Sequence, residues 1–248
     1  MAAGNAVDAD GPNDPLPMNL KTADLPRRLA SAAVMLLVAT LAVAIGGRVL
    51  DAFIVAVAGV AFLEFAWLVM RATPNPMVRL GGWIAGAAYF GCAAAILVGA
   101  GTFLLLMVIG IAIFTDTGAY FTGRAIGGPK IAPRVSPSKT WAGLAGGMAA
   151  SVAWVFLWVW AMDAPLAWPR FELGLSLSPQ NVTGAVALGA GLAIVAQAGD
   201  FLESWLKRRA GVKDSSRLIP GHGGVFDRVD GLIPVVLVAG FIAARMAP

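Results

Sequence analysis

The segment DFLESWLKRRAGVKDSSRLIPGHGGVFDRVD, residues 200–230, concentrates the groups in this sequence that can do chemistry. Eleven of its 31 residues are charged, in a chain of 248 with 18 Lys and Arg and 14 Asp and Glu. It also holds the single histidine, His222. Asp200, Glu203, Ser204 and Lys207 recur at i, i+3, i+4 and i+7, so a helix places them on one face. Asp200 ends an apolar run. An ionisable group at that depth is either a functional group or a solvated helix end. Pro220, Gly221, His222, Gly223 and Gly224 interrupt any helix. Glycines there permit positive φ and let backbone N–H groups approach an anion, although a plain turn uses the same residues. Asp227 and Asp230 return at i, i+3, with Arg228 between them. With Asp200 and Asp214 they make a hard-oxygen set suited to Mg²⁺. A salt-bridged helix start, its acids at the positive dipole end, explains the Asp227–Asp230 pair equally well.

The elements that must position these groups read as membrane helices. The chain is 58% hydrophobic and only 13% charged, about half the charged fraction of soluble domains. The expected fold is an all-α polytopic membrane protein with about seven transmembrane helices, six to nine being compatible. Spans are expected near 29–47, 52–70, 80–99, 103–122, 141–162, 183–203 and 231–246, each near the roughly 20 residues that cross a bilayer. Gly99, Ala100, Gly101 and Thr102 separate the third from the fourth. With the N-terminus in the cytoplasm, 15 of the 18 basic residues fall in cytoplasmic segments and only Arg48, Arg170 and Arg245 fall outside, as the positive-inside rule requires. The expected location is therefore the cell (inner) membrane, with a polar cavity opening to the cytoplasmic side. Residues 1–24 carry Asp8, Asp10 and Asp14 but no basic start, and read as a disordered tail rather than a signal peptide. Residues 25–122 read as N-terminal transmembrane helices, and 123–248 as the C-terminal transmembrane region holding segment 200–230. The lone Cys92 excludes an internal disulfide and argues against a cysteine metal site. The basic residues flank spans, which marks topology and not nucleic-acid binding. Arg27 and Arg28 read as anchors. Glu64, inside a span, must be protonated, paired or turned to a polar cavity.

Ser204-Trp205-Leu206-Lys207-Arg208, Lys213-Asp214 and Pro220–Asp230, in this order and spacing, closely resemble the signature of phosphatidate cytidylyltransferases, also called CDP-diacylglycerol synthases. The resemblance extends to Gln197–Asp200 and Glu203, to Asp116-Thr117-Gly118-Ala119-Tyr120 with Gly123-Arg124, and to Ser136–Trp141. It covers roughly Thr115–Asp230, the earlier spans being similar only in character. One position departs: the family usually has a Glu after Thr-Trp, where this chain has Ala142. Either that Glu is dispensable here, or Glu64 or Glu203 serves instead; the departure is also compatible with reduced activity or an altered substrate.

The resemblance implies Mg²⁺-dependent attack of a phosphatidate oxygen on the α-phosphorus of CTP, giving CDP-diacylglycerol and pyrophosphate. Such a nucleophile is already ionised, so no Ser, Cys or His nucleophile is needed, and catalysis consists mainly of positioning and charge neutralisation. The roles expected are as follows. Asp200 and Asp227 bind Mg²⁺, with Asp230 a ligand or its partner and a second monovalent or divalent cation as an option. Lys207, Arg208 and Lys213 neutralise CTP phosphates or pyrophosphate, Ser204 and Arg228 bind nucleotide or phosphate with them, and Asp214 is among the catalytic residues. His222 and the Gly223–Gly224 backbone contact phosphate oxygens. Ser136, Lys139 and Thr140 form a second anion patch, and Asp116 and Tyr120, a helical turn apart, line the membrane end of the cavity with Glu203. The partners implied are CTP, phosphatidate and membrane lipids, and the family tends to form homodimers. The alternatives are a CTP-dependent transferase acting on another lipid, a transporter, and a non-catalytic scaffold. A transporter is disfavoured because the charges gather at one side and no internal repeat is evident.

Overall fold

The computed structural model describes residues 25–163 and 179–246. The expected tail and most of the outer segment 163–182 lie outside the described residues. Among these residues, seven helices and one hairpin follow in order: α1 (Leu25–Ile45), α2 (Gly47–Ala72), α3 (Pro76–Ala125), β1 (Lys130–Ala132), β2 (Ser136–Thr140), α4 (Trp141–Asp163), α5 (Pro179–Ala210), the single turn α6 (Phe226–Val229) and α7 (Leu232–Met246).

Five of these helices are long and apolar enough to cross a membrane, and α7 is a shorter apolar helix. The helix α3 has 50 residues, about 75 Å at 1.5 Å per residue, against roughly 30 Å of hydrocarbon. It does not run straight. Gly101 has φ 71 and ψ −169, a backbone geometry that glycine adopts without a Cβ penalty. The break divides α3 into two legs where the sequence separates the third expected span from the fourth. Each of the seven expected spans thus has a helical counterpart, and the polytopic all-α architecture stands, with the small β1–β2 hairpin added. The expected division at 122/123 falls within α3, which continues to Ala125. Large apolar side chains such as Leu36, Leu63, Ile84 and Phe241 point outward, as expected where lipid is the solvent.

Small residues set the closest helix contacts, as is usual where lipid removes the hydrophobic drive between helices. A Cβ on Gly118 of α3 would meet the Gly146 carbonyl and Ala150 of α4. Two polar ties add to this: Trp154 Nε1 donates to the Met107 carbonyl at 3.0 Å, and Ser151 Oγ donates to the Gly189 carbonyl at 2.8 Å. The α3–α4 seam fixes the hairpin, because β2 runs directly into α4 and Thr140 Oγ1 accepts from Gly143 N–H at 3.0 Å. On the other side, Phe226 of α6 packs its ring against Phe65 of α2 and Phe90 of α3, at 5.9 and 5.5 Å between centroids. That aromatic cluster seats α6 beneath the loop 211–225.

Candidate active site

The α5 face carries Asp200, Glu203 and Lys207 toward β2 and α6. Lys139 of β2 makes an ion pair with Asp200. One turn on, Lys207 Nζ lies 2.7 Å from Glu203 Oε2 and 2.8 Å from Asp227 Oδ1. Asp230 follows α6 and accepts from Gly231 N–H at 2.8 Å. Asp116, on the second leg of α3, is close enough to interact through charge with Lys139, Asp230 and Arg228. Acids and ammonium groups from four elements therefore converge at one end of the helices.

Asp227 is the most heavily supported acid. Its Oδ2 accepts from Gly224 N–H at 2.8 Å, Ser215 N–H at 3.0 Å and Ser215 Oγ at 3.0 Å. Burial alone pushes its carboxyl up. Glu203, Lys207 and the Gly224 N–H outweigh that and hold it well below the usual carboxylate range. Asp230 goes the other way: burial dominates and raises it, against the Gly231 N–H and the charges of Lys139 and Lys207. Burial likewise lowers Lys139, opposed by Asp116, Asp230 and Glu203. Glu203 is 2% exposed, and its Oε1 has no hydrogen-bond partner. A buried oxygen left unpaired is costly and marks a place where a proton or a cation belongs.

The loop 211–225 is held from below by Glu64, whose role the sequence left open. Its Oε1 accepts from Ser216 Oγ at 2.6 Å and Val225 N–H at 3.1 Å. Its Oε2 accepts from Phe226 N–H at 2.7 Å and Ser215 Oγ at 3.0 Å. Ser215 Oγ thus stands between Glu64 and Asp227 and gives its one proton to one of them at a time. Gly224 is buried where a Cβ would run into Ser215 Oγ and the Glu64 carboxylate, so only glycine lets the loop close over both acids. Glu64 is spent on the loop. Of the two acids that would stand in for the absent Glu at Ala142, Glu203 is the one facing the cluster.

The remaining predicted residues divide. Lys213 and Asp214 are exposed, and with His222, Gly223 and Arg228 they line a cleft of about 800 Å³ that backs onto the loop. His222 Nδ1 is buried without a partner. Arg228 donates to the His222 carbonyl at 2.8 Å. Gly223 has φ 84 and its carbonyl accepts from Ile219 N–H at 2.9 Å. The Gly224 N–H, expected to meet phosphate, is committed to Asp227. Arg208 turns to the hairpin, a long 3.5 Å contact from Nε to the Val135 carbonyl. Ser136 and Thr140 are buried, and Ser204 is half-buried on α5. Tyr120 is exposed and its hydroxyl accepts from Arg124 at 3.2 Å. Ser215 and Ser216 carry no motif of their own, and Arg28 has the place of a span anchor. Arg28 lines the cleft, and Ser31 Oγ donates to the Pro220 carbonyl at 2.8 Å. No spacing signal links residues so far apart in the chain.

Acids and bases thus gather at one end of an α-helical membrane fold. Residues 84–245 match the Cytidylyltransferase family, and the chain belongs to that family. It is 48% identical over 133 residues to a phosphatidate cytidylyltransferase of Brucella suis biovar 1, a match covering 54% of this chain and 44% of that protein. The corresponding enzyme of Haemophilus influenzae is 42% identical over 136 residues, 55% of this chain and 44% of its own. That of Bacillus subtilis is 38% identical over 130 residues, 52% and 43%. The chain thus spans less than half the length of these relatives.

Proposed function

We propose that this protein is a phosphatidate cytidylyltransferase, joining CTP to phosphatidate with release of pyrophosphate. The observation that carries this reading is the cleft of about 800 Å³ that Arg28, Lys213, Arg217 and Arg228 line together with His222, whose Nδ1 has no partner. The Asp227 carboxylate lies behind its loop. A triphosphate is the substrate that such a charge arrangement suits, since guanidinium groups pair with phosphate oxygens through two parallel hydrogen bonds.

In the reaction an oxygen of the lipid phosphate forms a bond to the α-phosphorus of CTP. The bond from that phosphorus to the bridging oxygen breaks, and pyrophosphate leaves with the electron pair. Arg28, Lys213, Arg217 and Arg228 neutralise the nucleotide and the leaving group. Lys139 and Lys207 hold Asp200, Glu203 and Asp227 in place and lower the repulsion between the approaching polyanions.

The donor set fits Mg²⁺. Glu203 Oε1 is a buried, unpaired hard oxygen beside Asp227 and Asp230. No group of three His, Cys, Asp or Glu side chains at metal-holding spacing occurs among the described residues. Mg²⁺ needs none, because it typically takes one or two carboxylates and completes its shell with substrate oxygens and water. One or two of Asp200, Asp227 and Asp230 would hold it, with Glu203 adjacent, although Lys139 and Lys207 engage Asp200 and Asp227 in this structure. Bound there, the ion would supply charge neutralisation at the phosphates. The proposed orientation puts this end in the cytoplasm, in support of which Arg71, Arg79, Arg124, Arg134 and Lys213 all stand at loops or helix ends there.

The purified protein, given CTP, Mg²⁺ and phosphatidate, should release pyrophosphate, and chelation should stop it. Asp227→Asn should cut turnover by at least about 100-fold, as loss of a charged site group typically does. A folded preparation without pyrophosphate release would overturn the proposal.

A further inference from the structure

A second cleft, of about 730 Å³, opens on the other side of the Lys213–Arg217 segment, against α2. Its wall runs along α2 from Leu63 through Trp67 to Arg71, a distance of about 12 Å at 1.5 Å per residue. Leu63 is 66% exposed and Trp67 36%, so the inner part is apolar and faces the lipid level. Arg71 ends the apolar span, with its guanidinium 5.0 Å from the Trp67 ring centre. Across the opening stand Lys213 and Arg217. Among the described residues, no carboxylate lies within ion-pair distance of these three cations. Asp214 is the one acid of this cleft free to oppose them, because Glu64 is taken by its four donors.

A ligand that matches this wall has an anionic head at the level of Arg71 and an apolar tail along Leu63 and Trp67. Tryptophan at the interface and basic side chains at a span end are the usual partners of anionic headgroups. The cleft is separated from Asp227 by Ser215 and Glu64, so a headgroup held here does not reach the reacting phosphates.

We propose that this cleft binds an anionic phospholipid of the surrounding bilayer, one that is not consumed, and that this lipid steadies the Lys213–Arg217 segment. Ser215 and Ser216 belong to that segment and bond Glu64, and Ser215 also bonds Asp227. A lipid that orders the segment therefore orders the aspartate. The binding claim stands independently of the reaction proposed above.

The test is lipid retention by the full chain, read by native mass spectrometry, with phosphatidylglycerol and phosphatidylcholine offered in equal amounts. The wild type should favour phosphatidylglycerol. Arg71→Glu should lower that preference by at least about fivefold, the value of one basic residue near a charged surface, and Arg71→Lys should restore most of it. The melting temperature in phosphatidylcholine should be alike in all three, which separates lost binding from misfolding. Glycerol phosphate should not displace the lipid, since it lacks the tail. Equal retention of both lipids, a preference that survives Arg71→Glu, or displacement by glycerol phosphate would each overturn the proposal. Pyrophosphate release by a protein that shows no lipid preference would sink this inference and leave the proposed reaction standing.

Discussion

Asp227 and Asp230 are three residues apart and have opposite characters. Asp227 collects donors and is held ionised far into acid. Its contribution to stability is therefore present above the unfolded carboxylate value of about 3.9 and is lost only as pH falls through its depressed folded value. Asp230 is raised by burial. Its ionised form is less favourable folded than unfolded, so at neutral pH it subtracts from stability, and that cost fades as pH falls below the raised value. Asp230→Asn should accordingly raise the melting temperature at neutral pH while lowering turnover by about 100-fold or more. Thermal unfolding and pyrophosphate release, measured on one preparation, check both signs. Lys139 supplies a second pH signature. Burial lowers it, so its ion pair with Asp200 dissolves at a pH below the ordinary lysine range. The rate should fall on that basic limb, and Lys139→Arg should move the fall upward, because a guanidinium does not titrate there.

At the level of elements, helices were legible and their cross-ties were not. The apolar runs and the glycine cluster at 99–102 foretell seven spans, because bilayer thickness and backbone satisfaction leave a sequence few options. The Gly101 break falls at the expected boundary between the third and fourth of them. The face of α5 was also legible, since helical spacing alone brings Asp200, Glu203 and Lys207 together. The contact between Glu64 and Ser215 was not, as it spans 151 residues and depends on how α2 packs against a loop. The same holds for Arg28, which the basic-anchor rule explains well enough to hide its place in the cleft. Glu64→Ala should leave Ser216 Oγ and the Val225 and Phe226 N–H groups unpaired, Ser215 Oγ turning to Asp227, and cost about 2–4 kcal/mol, whereas Glu64→Gln keeps one acceptor oxygen and should cost less. Chemical denaturation of the two variants, compared with that of Ser216→Ala, measures the difference. If Glu64→Ala unfolded no more readily than wild type, α2 would not be holding the loop.

For the whole molecule, polarity is the organising fact. Apolar side chains cover the flanks, and charge is gathered at one end. If that end is cytoplasmic, a cysteine in the hairpin should be shielded in intact cells and one at the opposite helix turn should not. Starting from Cys92→Ser, a membrane-impermeant maleimide added outside should label Arg48→Cys and miss Arg134→Cys, both positions being exposed in the structure. Labelling of both after permeabilisation provides the control. The reverse pattern would put the site on the outer face, where CTP is not supplied.

The carboxylate of Glu64 lies outside the region that matches the family, yet it grips the loop inside it. This places a constraint on inheritance. The N-terminal helices cannot be exchanged among relatives as interchangeable anchors, because the acid on α2 and the two serines of the loop must arrive together. A chimera that joins a foreign N-terminal half to residues 84–248 should be inactive unless the donor half brings an acid at the depth of Glu64. Restoring that one side chain should recover more activity than restoring any lipid-facing residue beside it.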